Sequence, residues 1–248
     1  MGVGIPDKNG KSFPAITLHD PDGDLRLRGR IDRVDGWERG GKLYLRVMDY
    51  KSGRKKFDLS MVRMGLDLQM LLYLFALERQ GKRFFGKDVE AAGILYLPAR
   101  DAILSAERGI TEEELEKARN KELRRSGLIL SEPDVLRAME HESLTEPHFL
   151  PIRVNKDGAL TGDLASAEQL GKLGKYVEKL LRQMGGEVRS GNIDADPCCR
   201  SGDDTPCQYC DWSGACHFQD GRDRDRKRYV RHLDADEFWR LLDEEANA

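Results

Sequence analysis

Gly29-Arg30-Ile31-Asp32-Arg33-Val34-Asp35, then Asp49-Tyr50-Lys51-Ser52-Gly53, then Gln69 with Tyr73 four residues later, form the stretch on which the fold turns. From Leu25 to Asp32 the chain alternates, with Leu25, Leu27, Gly29 and Ile31 on one face and Arg26, Arg28, Arg30 and Asp32 on the other. That period predicts a half-buried strand. The segment Gly36 to Lys42 is polar and holds Gly40-Gly41, a pair suited to a hairpin connection, so Leu43 to Lys51 is expected to return antiparallel. Residues i and i+2 of a strand share a face, which places Asp49 beside Lys51 and turns Tyr50 away.

Outward from the hairpin, Arg54-Lys55-Lys56 leads to an expected helix from about Leu59 to Gln80. Its second half, Leu66 to Leu77, is apolar nearly all round, as in a buried helix. Gln69 and Tyr73 lie one turn apart on it, and an amide in such surroundings requires a partner. Ala91 to Leu97 reads as a buried strand. Thr111 to Arg125 reads as an amphipathic helix, with Thr111 and Glu114 in capping-box spacing. Gly127 to Leu130 is expected to be extended, and Ser131 to Met139 helical from about Pro133. A strand at Phe149 to Val154, a loop at 155–162 and a helix from Ser166 to Met184 follow. The last helix is expected at Asp234 to Leu242, capped by Asp234.

Composition sets outer bounds. The 248 residues are 39% hydrophobic and 34% charged and have no apolar run of membrane-spanning length. Met1 to Lys11 lacks the apolar core of a signal peptide, so a cytoplasmic or nuclear location is the default. The net charge of -3 gives no global signature for nucleic acid, and a polyanionic partner would meet a local basic surface. All five cysteines, Cys198, Cys199, Cys207, Cys210 and Cys216, fall near the C-terminus. A disulfide framework spreads its bridges, whereas a cluster in a chain without an export signal points to a metal or iron-sulfur centre.

Asp32 and Asp49 carry the chemistry. Mg2+ prefers oxygen ligands and is held by one or two carboxylates with water in the remaining positions. Such an ion polarises a phosphoryl oxygen and activates a water for in-line attack, while Lys51 can orient that water or offset the developing charge. The plainer alternative makes Asp32, Arg33 and Asp35 turn caps and surface pairs, and Asp49 with Lys51 a solvated ion pair.

The ordered set Gly29-Arg30-Ile31-Asp32, Asp49-Tyr50-Lys51-Ser52-Gly53 and Gln69-x3-Tyr73 closely resembles the RecB-like branch of the PD-(D/E)XK nuclease superfamily. With Cys207-x2-Cys210-x5-Cys216, it is similar to the nuclease domain of B subunits of bacterial AddAB-type helicase-exonucleases, from about residue 15 to the end. The resemblance implies an α/β fold of the α+β-like kind: a central, mostly antiparallel or mixed sheet flanked by helices, restriction-endonuclease-like, with a cysteine-rich, metal-stapled C-terminal segment. Residues 1–14 are then expected as a linker, 15–186 as the nuclease core and 187–248 as the cysteine-rich segment and last helix.

The same resemblance implies Asp32 and Asp49 as ligands of Mg2+ or Mn2+, the Tyr50 carbonyl as a third ligand, Lys51 as the catalytic lysine, and Gln69 and Tyr73 as the helix motif. It further implies a [4Fe-4S] cluster on Cys207, Cys210 and Cys216, although spacing alone leaves Zn2+ open. In the family a fourth cluster cysteine and a helix bearing a His or Glu ligand lie upstream. Neither is in this sequence, so a piece of a longer protein is expected, with Cys198 or Cys199 an alternative fourth thiolate. Implied partners are double-strand DNA ends, single strands produced by unwinding, and a helicase-nuclease A subunit, in the bacterial cytoplasm and away from membranes. Rival readings are a non-catalytic DNA-binding or scaffolding domain and a zinc-ribbon-like module on an unrelated core.

Several segments are near misses. Gly36-x4-Gly41-Lys42 and Gly81-x4-Gly86-Lys87 have phosphate-loop spacing but continue with Leu43 and Asp88 in place of the required Ser or Thr, so both read as turns and no ATP site is expected. His141 and His148 lack a matching third ligand. His217, beside Cys216, is a better stray ligand than either. The basic run from Arg222 to Arg231 is diluted by Asp223 and Asp225, and phosphate contact there stays open.

Overall fold

The computed structural model describes residues 1–6, 10, 12–104, 109–140, 144–145, 147–202 and 204–246. In chain order the first strands are β1 (Gly2–Val3), β2 (Ile16–Leu18), β3 (Leu25–Leu27), β4 (Gly29–Arg30), β5 (Arg33–Arg39) and β6 (Lys42–Lys51). Two helices, α1 (Leu59–Arg63) and α2 (Gln69–Phe85), precede β7 (Asp88–Pro98). Then come α3 (Glu112–Glu122), β8 (Ser126–Leu130), α4 (Pro133–Met139), β9 (Ile152–Val154), β10 (Leu160–Gly162) and β11 (Leu164–Ala165). The chain continues through α5 (Ala167–Ser190), β12 (Cys198–Cys199), α6 (Ser213–Cys216), β13 (Arg228–Tyr229) and α7 (Ala235–Ala246). Two compact units form, 1–57 with 69–175 and 58–68 with 176–248.

The first unit is built on a five-stranded mixed sheet of order β11-β8-β7-β6-β5, in which β6 and β7 are parallel and β5 pairs antiparallel with β6. The Gly40-Gly41 turn is as expected, and both glycines adopt the positive φ that a tight hairpin requires. The strand entering it is shifted from the sequence reading. Alternation from Leu25 to Asp32 is divided between β3, which pairs with β2, and β4, which pairs with β1, while β5 itself starts at Arg33. Two partners, β2 and β1, share what reads as one strand. Within the expected linker, Val3 and Phe13 are fully buried.

On β6, Leu43, Leu45 and Val47 point to one face and Met48 to the other. The second face builds a core of Met48, Leu95, Leu97 and Ile129 with Leu136, Leu150 and Ile152. Helix α2 covers the first. Its Gly81 backs onto Val89 at the entry of β7, so closely that an added Cβ would stand 2.2 Å from a Val89 methyl. From Gly81 back to Gln69 the helix spans about 18 Å at 1.5 Å per residue. From Val89 forward to Tyr96 the strand spans about 23 Å at 3.3 Å per residue. The helix therefore runs antiparallel to β6 and β7, and its first turn falls at the strand ends that carry Asp49 and Lys51.

The single helix expected from Leu59 to Gln80 is two. After Asp58 caps α1, the chain leaves helical geometry at Gly65 (φ 81) and Asp67 (φ 55) before restarting at Gln69. Left-handed backbone cannot continue a right-handed helix. Gln69 is thus the exposed first residue of α2, in place of the buried setting expected from its neighbours. The Thr111–Glu114 capping box is present as expected, although no residue of α3 is fully buried. Helix α5 passes through Gly185-Gly186, beyond its expected end, and β10 occupies part of the expected loop.

In the second unit α1 packs with α7. The backbone N–H of Leu233 donates to Ser60 Oγ at 2.9 Å. Arg63 donates to Tyr176 Oη at 2.6 Å and pairs with Glu245. Val62, Phe238, Trp239 and Leu242 are among its buried apolar residues. Among the described residues, no helix is long and apolar enough to cross a membrane.

Candidate functional site

Because Arg33 lies across from Met48, Asp32 falls one step beyond the paired end of β5, facing the last residues of β6. Its Oδ2 accepts the backbone N–H of Tyr50 at 3.2 Å. That bond holds the exposed Asp32 carboxylate against the strand that carries Asp49. Asp49 and Lys51 share a face as the strand period requires, with Lys51 Nζ 2.5 Å from Asp49 Oδ2. The ammonium is near enough for an ion pair but off the angle of a hydrogen bond, leaving Oδ2 buried without a hydrogen-bond partner. Tyr50 turns to the other face, where its Oη accepts from Arg33 Nη1 at 3.3 Å. Lys51 also lies 5.7 Å from the centre of the Tyr96 ring, on the β7 residue paired with Asp49.

The helix motif joins this end of the sheet through one contact. A Cβ added to Gly29 would lie 2.0 Å from Tyr73 Oη, so the phenol occupies the space that any larger residue at 29 would need. Tyr73 is buried and Gln69 exposed one turn before it. The glycine that opens the acidic stretch is therefore the seat of the tyrosine that closes the helix motif. Neither this seat nor the Tyr96 ring follows from residue types alone. Strand and helix periodicity placed both residues in buried elements without showing what lies opposite them.

Asp35 is separated from this group. Arg33 Nε donates to its Oδ1 at 2.8 Å and Arg46 Nη2 to its Oδ2 at 2.9 Å. Burial works against its charge, but the two guanidiniums outweigh burial and hold its carboxyl below the usual range. The plainer reading of Asp35 as a structural pair is thus correct. Replacing Asp35 with Ala should destabilise the chain by about 1–3 kcal/mol, because Arg46 keeps only a small exposed fraction and loses its partner. Chemical denaturation would show the loss, and metal-dependent activity of the folded fraction should remain.

Asp32 and Asp49 fit a hard divalent cation in kind and number, since Mg2+ is usually held through one or two carboxylates. The buried Asp49 Oδ2, paired with Lys51 but without a hydrogen bond, has coordination to offer such an ion, and the Tyr50 carbonyl belongs to the residue between Asp49 and Lys51. The cysteines are arranged differently. Cys198 and Cys199 form β12, Cys207 lies in a 3-10 turn, Cys210 caps that turn and Cys216 ends α6. Their thiol chemistry suits a soft centre, and the Cys199 thiol is near enough to Cys198 and Cys207 to interact with both electrostatically. Among the described residues, no group of three or more His, Cys, Asp or Glu side chains is positioned to hold a metal ion.

The near misses stay apart from the site. Gly41 lies in the β5–β6 turn and Gly86 follows the end of α2, so neither segment forms a phosphate loop. His148 meets Asn120, and His141 is outside the described residues. In the basic run, Arg224 pairs with Asp194, Arg226 with Asp196 and Arg231 with Glu237, which lowers its field.

A profile of the PD-(D/E)XK nuclease superfamily matches residues 4–217. Among relatives, the B subunit of an ATP-dependent helicase/deoxyribonuclease from Acetivibrio thermocellus is 37% identical over 240 residues, covering 96% of this chain and 21% of the relative. Proteins of the same description from Thermoanaerobacter sp. strain X514 and Clostridium acetobutylicum are each 35% identical, covering 95% and 99% of this chain and 20% and 21% of their own lengths. This chain spans about a fifth of the length of these curated relatives.

Proposed function

The chain belongs to the PD-(D/E)XK nuclease superfamily, and on that premise we propose that it is the metal-dependent DNA exonuclease domain of a helicase-nuclease complex that processes double-strand ends. The observation that carries this reading is the buried Asp49 Oδ2, unmet by a hydrogen bond, with Lys51 Nζ 2.5 Å away. Asp32 and Asp49, with the Tyr50 carbonyl, would hold Mg2+ or Mn2+. When bound, the ion supplies charge neutralisation at the scissile phosphate and acidifies an attacking water. Asp49 holds the Lys51 ammonium at the site. From there Lys51 orients the nucleophile and offsets negative charge on the phosphorus centre during in-line displacement. Tyr73, seated on Gly29, fixes the first turn of α2, and Gln69 faces the substrate from that turn.

By this reading the substrate is DNA, met as double-strand ends and as single strands released by unwinding. The partner is a helicase-nuclease A subunit, the setting is the bacterial cytoplasm, and ATP is hydrolysed elsewhere in the complex. Cys207, Cys210 and Cys216 are the proposed thiolates of a [4Fe-4S] centre, with Zn2+ as the alternative, on donor chemistry alone. Iron, sulfide and zinc assays on anaerobically prepared protein test this, and near-zero content of all three removes the centre.

Degradation of end-labelled linear DNA with Mg2+ or Mn2+ tests the function. Activity should appear with either ion and vanish with EDTA. Cleavage indifferent to chelation would defeat the reading, and so would tight DNA binding with no cleavage under any divalent ion.

A further inference from the structure

A groove of about 710 Å3 opens in the first unit at the exit of β6 and β7, with Lys51 on its wall. It also takes in the start of β8, at Ser126, and the β10–β11 connection, at Asp163. Nine lysine and arginine side chains line it against two acidic ones, Glu122 and Asp163. Glu122 is already engaged, accepting from Arg54 at 2.6 Å and pairing with Arg100 at 2.9 Å. The Asp163 carboxyl reaches solvent but is crowded by the groove walls. Desolvation raises its pKa to about 6, against the pull of Arg153 and Lys56. This local surface is strongly positive on a chain whose net charge is -3. Arg100 and Arg124 each keep a buried Nε without a hydrogen-bond partner, a donor capacity the protein itself leaves unmet.

We propose that this groove seats a single DNA strand by its phosphodiester backbone, continuous with the strand held at Asp49 and Lys51, an inference that rests on the nuclease reading. The volume is that of a small-ligand site and takes on the order of a few nucleotides of one strand, with no room for a duplex. Two aromatic residues line the groove, Tyr96 and the half-buried Phe57, against nine cationic side chains. Tyr96 is buried and already carries the Lys51 and Lys55 ammoniums, at 5.7 and 5.8 Å from its ring centre. Cations that so outnumber the rings follow phosphates, and stacking on a ring accepts any base, so binding is independent of sequence and steeply salt-dependent.

Lys56 and Arg153 are exposed and provide the test. Binding of a labelled single-stranded oligonucleotide to the full chain is followed by fluorescence anisotropy in EDTA, where no turnover occurs. The double variant Lys56→Glu, Arg153→Glu should bind about tenfold more weakly or worse. Its plot of log affinity against log salt should be shallower by about 1.4, from roughly 0.7 per lost single-strand phosphate contact. Lys87→Glu with Arg39→Glu makes the same charge change at the opposite end of the sheet and should bind like the parent. The milder pair Lys56→Gln, Arg153→Gln should weaken binding in the same direction, whether or not the reversal variant folds. Parent-like affinity in the neutralised pair would overturn the groove, as would equal losses in the charge-matched control or duplex binding as tight as single-strand binding. Since EDTA separates seating from cutting, a chain that binds through these residues but never cleaves keeps the groove and loses the nuclease reading. One that cleaves without depending on them does the reverse.

Discussion

Replacing Asp49 with Ala is expected to cut Mg2+-dependent degradation of linear DNA by on the order of a thousandfold or more, since preorganised charge at the reacting phosphate is lost outright. The fold should survive. Asp49 Oδ2 makes no hydrogen bond, and its ion-pair partner Lys51 retains 37% of its side-chain exposure, so water can take over the ammonium. Asp49 itself keeps only 16% of its side-chain exposure, so stability should fall by about 1–3 kcal/mol, between the cost of losing an exposed pair and that of losing a buried one. Gel quantification of labelled DNA alongside a urea melt checks both halves. Activity equal to the parent's would end the assignment of Asp49, and collapse of the fold would move the residue from chemistry to structure. Asp35→Ala provides the contrast, because its carboxylate ties Arg33 and Arg46 and should cost stability with the chemistry kept.

Gly29→Ala should cost about 1–3 kcal/mol, the usual penalty for overfilling a packed site, and should lower activity more than that loss of stability explains. The added methyl would stand 2.0 Å from Tyr73 Oη and 2.9 Å from its Cζ. Either α2 or β4 must then yield, and Asp32 follows within three residues of β4. Tyr73→Phe removes the nearest atom but leaves the ring edge, so the double variant should recover part of the stability. Residues in direct contact give such non-additivity, whereas independent ones add within about 0.3–0.5 kcal/mol. Thermal melts of the two single variants and the double variant measure it. Strict additivity would show that Gly29 and Tyr73 do not share the space attributed to them.

Strand parity on β6 and the Gly40-Gly41 turn were legible in sequence because both are local: side chains alternate along one strand, and two residues of positive φ close a hairpin. The limits of β5 were not. Leu25 to Ile31 alternates because one face is buried, and alternation does not reveal that the stretch is divided between two pairings, with β5 starting only at Arg33. The break between α1 and α2 was hidden by the apolar run from Leu66 to Leu77, which reads as one buried helix unless Gly65 and Asp67 are recognised as left-handed. In α5 the opposite occurred. Gly185-Gly186 reads as an end, although a helix of 24 residues carries it through. Among the candidate site residues, the nearness of Asp49 to Lys51 followed from strand parity, while the groove did not. Its cations come from segments distant in sequence, and only the fold places them side by side.

The second unit imposes an order on synthesis. Ser60 meets the backbone of Leu233, 173 residues later, and Arg63 meets Glu245, 182 residues later. Helix α1 leaves the ribosome well before the partners that fix it, which follow 173 and 182 residues later. Closing contacts of such separation is slow, because chain entropy is lost before any of them rewards it. The nascent chain must therefore hold an unpaired α1 while the 173 residues that separate Ser60 from Leu233 are added.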